Sequence, residues 1–326
     1  MLIFYHGDMD GIAAANIYLE NITYATETKI KAYEFEYNKE DSILNLKTSG
    51  KQEDIIFVDC CPSEHILQYL IPRAKTLTIL DHHISKKDLV DKYYKEGLIN
   101  GMSYIGASAT LITWCWFHFN QNIEKIIIFL DKFGTGKTAQ EKSNVPLSIK
   151  LVNSWDIWNG LYIDAEPYKI YFETQNFTPL DEGVKQILEN DIEIRKAIRD
   201  GYVMMQFFHN WGRQYCERFG YEVQYKTNSF FVLNVGNANS KIFGDLIKDY
   251  DAVIIYCNDG TKYRCSIYSQ KDTFNCAEFA EQFSGGGHKG AAGFVLNNLP
   301  IWLRDKRSDL ILKEDNQNED YRRRKK

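Results

Sequence analysis

The sequence predicts an α/β protein, with an N-terminal parallel sheet covered by helices on both faces and a smaller C-terminal α/β domain. Three observations lead there. Short, largely apolar runs recur in the first half (Leu2–Tyr5, Ile55–Val58, Leu77–Leu80), separated by stretches of helical period. Strands buried on both faces read as continuous apolar runs of this kind. The 326 residues make about two domains at roughly 150 residues each, and from Glu222 the strand and helix pattern starts afresh.

Taken in order, Leu2–Tyr5 is a strand, and an Ala-rich helix follows from Gly11. Lys29–Tyr37 alternates Ile30, Ala32, Phe35 and Tyr37 with polar residues, the period of a strand. Asp54–Val58 and Leu77–Leu80 are buried strands, with a helical SEHILQYL between them. Ala107–Phe119 and Ile123–Phe133 are helices, and Asp181–Phe219 is largely helical and ends the first domain. Next come strands Phe230–Val235, Ala252–Tyr256 and Tyr263–Tyr268, alternating with helices Ser240–Asp249 and Phe274–Phe283. Beyond Trp302 the chain is charged and poor in apolar residues, the composition of a disordered tail. The expected division is a catalytic domain over 1–200, a helical linker region over 201–227, a substrate-binding domain over 228–303 and the tail over 304–326.

Composition narrows the function classes. Hydrophobic residues at 44% and charged ones at 25% exclude a disordered or fibrous chain. No apolar run reaches the roughly 18 residues of a membrane span. The start, MLIFYHGDMDG, lacks the basic region and cleavage site of a signal peptide. Seven cysteines, an odd count without Cys-x-x-Cys, suit a reducing cytoplasm. A formal charge of −5 favours a small or short anionic ligand, or a local basic groove, over a broad DNA-binding surface.

The chemistry lies at the strand ends. Leu2–Tyr5 runs into His6-Gly7-Asp8-Met9-Asp10-Gly11, Ile55–Val58 into Asp59, and Leu77–Leu80 into Asp81-His82-His83. In an open parallel sheet, ligands bind in the crevice beyond the carboxyl ends of the strands. Crowded carboxylates repel one another unless cations neutralise them. A carboxylate and imidazole set without thiolate suits Mn²⁺, with Mg²⁺ or Co²⁺ as alternatives. One Asp after a strand is ordinarily a helix cap and one His a satisfied polar group; their joint occurrence at three strand ends is what exceeds capping. Gly134–Thr138 imitates a phosphate-binding loop, but its first glycine position is Asp131. Asp8–Gly11 imitates a calcium loop, but Leu19 stands where the twelfth-position Glu belongs.

Five segments together resemble the DHH phosphoesterase superfamily, in its members with a DHHA1 domain: HGDMDG (6–11), Val58-Asp59, Asp81-His82-His83, Asp156 in SWDIW, and SGGGHKGAAGF (284–294). They span almost the whole chain. The resemblance implies two metal ions, one held by His6, Asp8 and Asp59, the other by Asp10, Asp59, His82 and Asp156, with Asp59 bridging. A water between the ions would attack phosphorus. His83 would contact the substrate phosphate, and Asp81 would orient His82. Asp131 and Asp164 are rivals for the place of Asp156. In the C-terminal motif, Gly285, Gly286 and Gly287 would let backbone N–H groups approach a phosphate, with His288 beside them; a tight turn is the plain structural alternative. His288 and Lys289 would add donors and positive charge, and Arg264, on the strand before, would join in binding the substrate. Where relatives carry Ser-x-Arg-Ser, this chain has Ser266-Ile267-Tyr268-Ser269, so Tyr268 replaces an arginine and could stack on a base. The single residue between His6 and Asp8 is similar to the oligoribonuclease-like branch.

The resulting expectation is a two-metal phosphodiesterase or exonuclease that shortens single-stranded oligonucleotides to mononucleotides. A cyclic-dinucleotide or phosphonucleotide phosphodiesterase is the nearest alternative. A non-catalytic nucleic-acid-binding relative is the alternative of another class. Oligomeric state stays open, a homodimer being one option.

Overall fold

The computed structural model describes residues 1–23, 30–45 and 53–304. The strand expected to begin at Lys29 begins at Lys31, and the tail expected from 304 lies, after Arg304, outside the described residues. The chain divides into two compact units, 1–204 and 205–326.

In the first unit, β1 (Leu2–Tyr5) leads into α1 (Met9–Thr23), β2 (Lys31–Glu34) and β3 (Glu53–Val58). Then follow α2 (Glu64–Leu70), β4 (Ala74–Asp81), α3 (Ile84–Lys95) and β5 (Asn100–Ser103). The rest is helical: α4 (Ala109–His118), α5 (Ile123–Phe133), α6 (Lys137–Glu141), α7 (Leu147–Asp156), α8 (Ala165–Thr174) and α9 (Glu182–Glu189). The five strands form one sheet in the order β2-β1-β3-β4-β5, with every pair parallel. The connection from β2 to β3 crosses β1, so the strand order reverses between β1 and β3. Such a switch point opens a crevice at the carboxyl ends of the strands.

Alternate strand residues serve two cores, as period two requires. Ile3, Tyr5, Ile56, Val58 and Leu80 pack under α1, α4 and α7. Leu2, Phe4, Ile55, Phe57, Leu77 and Ile79 pack on the opposite face against Ile66 and Leu67 of α2 and Val90 of α3. Each such fully buried side chain contributes roughly 2 kcal/mol of transfer free energy. On α5, Ile126, Leu130 and Phe133 bury one stripe, and Asn122 caps the helix by accepting the Lys125 N–H at 3.0 Å. Gly11 lets α1 start directly beneath the strand end, because a Cβ there would meet the His6 carbonyl oxygen at 2.1 Å.

The helix α10 (Asp191–Phe219) carries the chain into the second unit. That unit contains β6 (Tyr221–Tyr225), β7 (Asn228–Asn234), β8 (Ala252–Asn258), β9 (Tyr263–Tyr268), α11 (Cys276–Glu281), β10 (Gly286–His288), β11 (Ala291–Leu296) and α12 (Ile301–Arg304). Its six-stranded sheet runs β10-β11-β9-β8-β7-β6, with β7 and β8 parallel and the other pairs antiparallel. Three local expectations change. Residues 201–227 are not all helix, since β6 forms an edge of this sheet. The helix expected over Ser240–Asp249 is a 3-10 segment, Ser240–Lys248, broken at Gly244 (φ 54°). The triple glycine is no open loop, because Gly286–His288 is the other edge strand, paired with Ala291–Gly293.

All seven cysteines are free. Among the described residues no helix is long and apolar enough to cross a membrane.

Candidate metal centre

Four segments of the first unit meet beyond the carboxyl ends of β1, β3 and β4. His6, Asp8 and Asp59 form one group whose ligating atoms lie within 4.8 Å of one another; Asp10, His82 and Asp156 form a second, and Asp59, His82 and His83 a third. Asp59 joins them. Its Oδ2 lies 3.6 Å from His6 Nδ1 and its Oδ1 3.1 Å from His82 Nε2. The residue is 1% exposed and has φ of 58°, a left-handed conformation uncommon outside glycine.

The other carboxylates are held by the fold. Asp8 Oδ1 accepts the Gly11 N–H at 3.0 Å, while its Oδ2 lies 2.8 Å from His6 Nδ1. Asp10 is clamped harder, accepting the N–H groups of Ala109 (2.7 Å) and Thr110 (2.9 Å) at the start of α4. A buried carboxylate at a helix N-terminus is stabilised by those unpaired donors. Asp156 ends α7, its Oδ2 3.4 Å from His82 Nε2. One turn earlier, Asn153 accepts the Ser108 N–H at 2.8 Å, which ties α7 to the same end of α4.

Without cations the charges are balanced by protons. The His6 imidazole is raised to about 10 by its close contact with Asp59 and then its hydrogen bond to Asp8, against the opposing effect of burial. Burial pulls His82 down, but the Asp59 contact and the charges of Asp10 and Asp156 outweigh it and raise it to about 10. Burial pushes Asp10 well up and Asp156 to about 6, with neighbouring carboxylates adding to both. Burial also works to raise Asp8, but its bonds from His6 and Gly11 leave it lowered. Two buried oxygens, Asp59 Oδ1 and Asp156 Oδ2, make no hydrogen bond; both face His82 at close range but poor angle. Orphaned acceptors converging with imidazole nitrogens fit a divalent ion, and the all-N/O donor set fits Mn²⁺, Mg²⁺ or Co²⁺.

Asp81 corrects an expectation. Its Oδ1 is 2.7 Å from His83 Nδ1, so it orients His83 and not His82. That hydrogen bond raises the His83 pKa. The rivals of Asp156 lie elsewhere: Asp131 accepts from Tyr104 (2.6 Å) and Asp164 from Tyr202 (2.8 Å). Two residues missed from sequence belong to this surround. Asn153 sits one turn before Asp156, a spacing that shares its helix face. Glu34 ends β2 at the same carboxyl end of the sheet as the other acids.

Apart from His83, the residues expected to bind substrate lie in the second unit. Register places Arg264, Ser266 and Tyr268 of β9, Ala291, Gly293 and Val295 of β11, and Gly286 and His288 of β10 on one face of the sheet. Gly285 and Gly287 serve packing, because a Cβ would lie 2.2 Å from the Gly293 oxygen at Gly285 and 2.5 Å from Ala292 Cα at Gly287. Gly286 faces open space. Arg264 is exposed and pairs with Asp259 at 2.8 Å.

No family model matches the chain. It is 22% identical over 313 residues to an uncharacterized protein of Acanthamoeba polyphaga mimivirus, covering 91% of this chain and 68% of that one. Among solved structures it is similar to an exopolyphosphatase-related protein from Bacteroides fragilis (TM-score 0.44, 12% identity, 96% of this chain and 90% of that one). It is also similar to a pGpG-specific phosphodiesterase from Vibrio cholerae (0.41, 12%, 96% of each). An uncharacterized protein from Helicobacter pylori is a third (0.39, 15%, 92% and 94%). At these identities and scores, the activities of those proteins do not transfer to this chain.

Proposed function

We propose that the chain is a metal-dependent phosphoesterase of the DHH type that shortens single-stranded oligonucleotides from one end. The observation that carries this reading is the Asp59 carboxylate, which turns one oxygen toward His6 and the other toward His82. One buried residue thereby links two ligand sets. His6, Asp8 and Asp59 would hold one ion; Asp10, Asp59, His82 and Asp156 would hold the other. Bound there, divalent ions would supply Lewis acidity and a water of lowered pKa.

The chain's own residues do the positioning. Asp10, fixed by two N–H groups of α4, and Asp59, fixed by its backbone, are preorganised and need little rearrangement as charge develops. With Nδ1 of His83 engaged by Asp81, Nε2 is the nitrogen left to donate to a phosphate oxygen. In the second unit, Arg264 and His288 offer charge and donors and Tyr268 a ring for stacking on the terminal nucleotide, all on one sheet face. The net charge of −5 supports a short substrate, since few phosphates would be neutralised.

The test is a substrate panel with the Mn²⁺-loaded protein: RNA and DNA of two to six nucleotides, twenty-nucleotide strands, cyclic dinucleotides, phosphonucleotides and pyrophosphate. The expected kcat/KM is highest at roughly two to five nucleotides, with a shallow salt dependence of about −0.7 in log K per neutralised phosphate. Faster attack per end on twenty-nucleotide strands, or on a cyclic dinucleotide, would overturn the substrate assignment. No hydrolysis of any diester would overturn the activity.

A further inference from the structure

Beside the metal ligands, on the β2 side, lies a cavity of about 370 Å³. Its volume is within the range of small-molecule sites. One wall is apolar: Phe172 is buried at 1% exposure, and Phe177 and Ile12 continue it. The rim is polar, with Glu34, Glu173 and Asn176. Glu173 is engaged by Lys169 at 2.6 Å. Glu34 is exposed and, among the described residues, its carboxylate has no hydrogen bond or ion pair.

The sequence makes room for that carboxylate. Gly7 separates His6 from Asp8, and a Cβ at Gly7 would lie 2.1 Å from Glu34 Oε1. Glu34 is also fixed in register, pairing with Tyr5 across β1 and β2. Asp8 borders both the cavity and the first ligand group. A phosphate is a poor occupant, because the rim presents carboxylates and no unpaired cation. An aromatic, flat, donor-bearing group suits it better.

We propose that this cavity receives a nucleobase of the substrate and that Glu34 makes it selective for guanine. The substrate class rests on the phosphoesterase reading above; the selectivity rests on donor patterns. A carboxylate offers two parallel acceptors. Guanine presents two adjacent donors, N1–H and the N2 amino group. Adenine and cytosine place a ring acceptor beside their amino group, and uracil flanks its N–H with two carbonyls, so each sets a lone pair against Glu34. Asn176 supplies an amide for the guanine O6 or the ribose.

Equilibrium binding of mononucleotides to the full chain, by calorimetry, tests this apart from catalysis. GMP should bind roughly fivefold or more tightly than AMP, CMP or UMP, the low end of what a bidentate pair discriminates. IMP, which lacks the N2 amino group, should fall between. Glu34→Gln should bring the GMP to CMP ratio within about twofold, and Gly7→Ala, which displaces the same carboxylate, should lower it as well. A wild-type ratio near one would overturn the assignment. So would a Glu34→Gln protein that binds all four nucleotides more tightly by the same factor, since Glu34 would then act only by repelling phosphate. Hydrolysis of bis-p-nitrophenyl phosphate by the Mn²⁺-loaded wild type is measured alongside. No hydrolysis of this or any other diester, with guanine selectivity intact, would overturn the phosphoesterase reading alone, and hydrolysis without selectivity would overturn the pocket alone.

Discussion

Asp81 Oδ1 lies 2.7 Å from His83 Nδ1, while Asp81 Oδ2 is buried without a hydrogen-bond partner. This pair sets the His83 tautomer and charge. Asp81→Asn should therefore lower the His83 pKa from its raised value, because the hydrogen bond that raises it is weakened. Imidazole proton resonances followed against pH in the metal-free protein measure it. An unchanged pKa would show that Asp81 does not govern His83.

Asp59 should be the costliest ligand to lose. Asp59→Asn is the informative variant, because Asn tolerates the left-handed backbone that Ala does not. Elemental analysis should find both ions depleted. Activity should fall about a thousandfold or more, as loss of several kcal/mol of transition-state stabilisation implies. Two ions retained per chain would refute the bridging role.

Asp10 should behave differently from the other ligands. It is 2% exposed and accepts two N–H groups of α4, so Asp10→Ala removes a cap as well as a ligand. With divalent ions bound, a loss of about 2 kcal/mol is expected, read from urea midpoints; in the metal-free protein, where burial and neighbouring carboxylates hold the Asp10 pKa well up, the loss should be smaller. The same truncation at the half-exposed Asp8 should cost markedly less.

The pH dependence of stability has a marker away from the metal ligands. Asp251 Oδ2 accepts the Ser229 N–H at 2.8 Å and its hydroxyl at 3.0 Å. The N–H bond is the main cause of its lowered pKa, with help from Lys271. A depressed carboxylate stabilises the fold above its unfolded pKa and loses that contribution as pH falls through the folded value. Asp251→Asn should cost about 1 kcal/mol at neutral pH, and the difference from wild type should shrink in acid below the usual carboxylate range.

The glycine motif can be divided by position. Gly287→Ala should destabilise the protein, since its Cβ would strike Ala292 at φ of 152°, whereas Gly286→Ala should leave the melting temperature nearly unchanged. A loss of nucleotide affinity in Gly286→Ala would then report on the open sheet face and not on folding.

The strand ends were legible because apolar runs stop abruptly at polar clusters, and three of the five strands of the first sheet show that edge. β5 was not, because Asn-Gly-Met-Ser lacks an apolar pattern; its place is set by close approach, a Cβ at Gly101 falling 1.9 Å from the Ile79 oxygen. β10 was hidden for a like reason, since glycine has no strand preference of its own. The partners of Asp10 lie 99 and 100 residues away, and no local pattern announces a cap at that separation. Adjacent histidines also concealed which one Asp81 serves, a choice that side-chain geometry makes and spacing does not.

The scatter of the ligands along the chain has a consequence for the order of events during folding. Residues 6, 59, 82 and 156 come together only after β1, β3 and β4 have paired side by side and α7 has docked. Parallel pairing brings distant segments together before any contact rewards the closure, which makes it slow. A nascent chain holding only β1 and α1 owns His6, Asp8 and Asp10 but not Asp59, and so has no shared ligand. On the metal-dependent reading, tight metal capture would thus belong to the last stage of assembly of this unit, and ions would stabilise the finished fold rather than seed it.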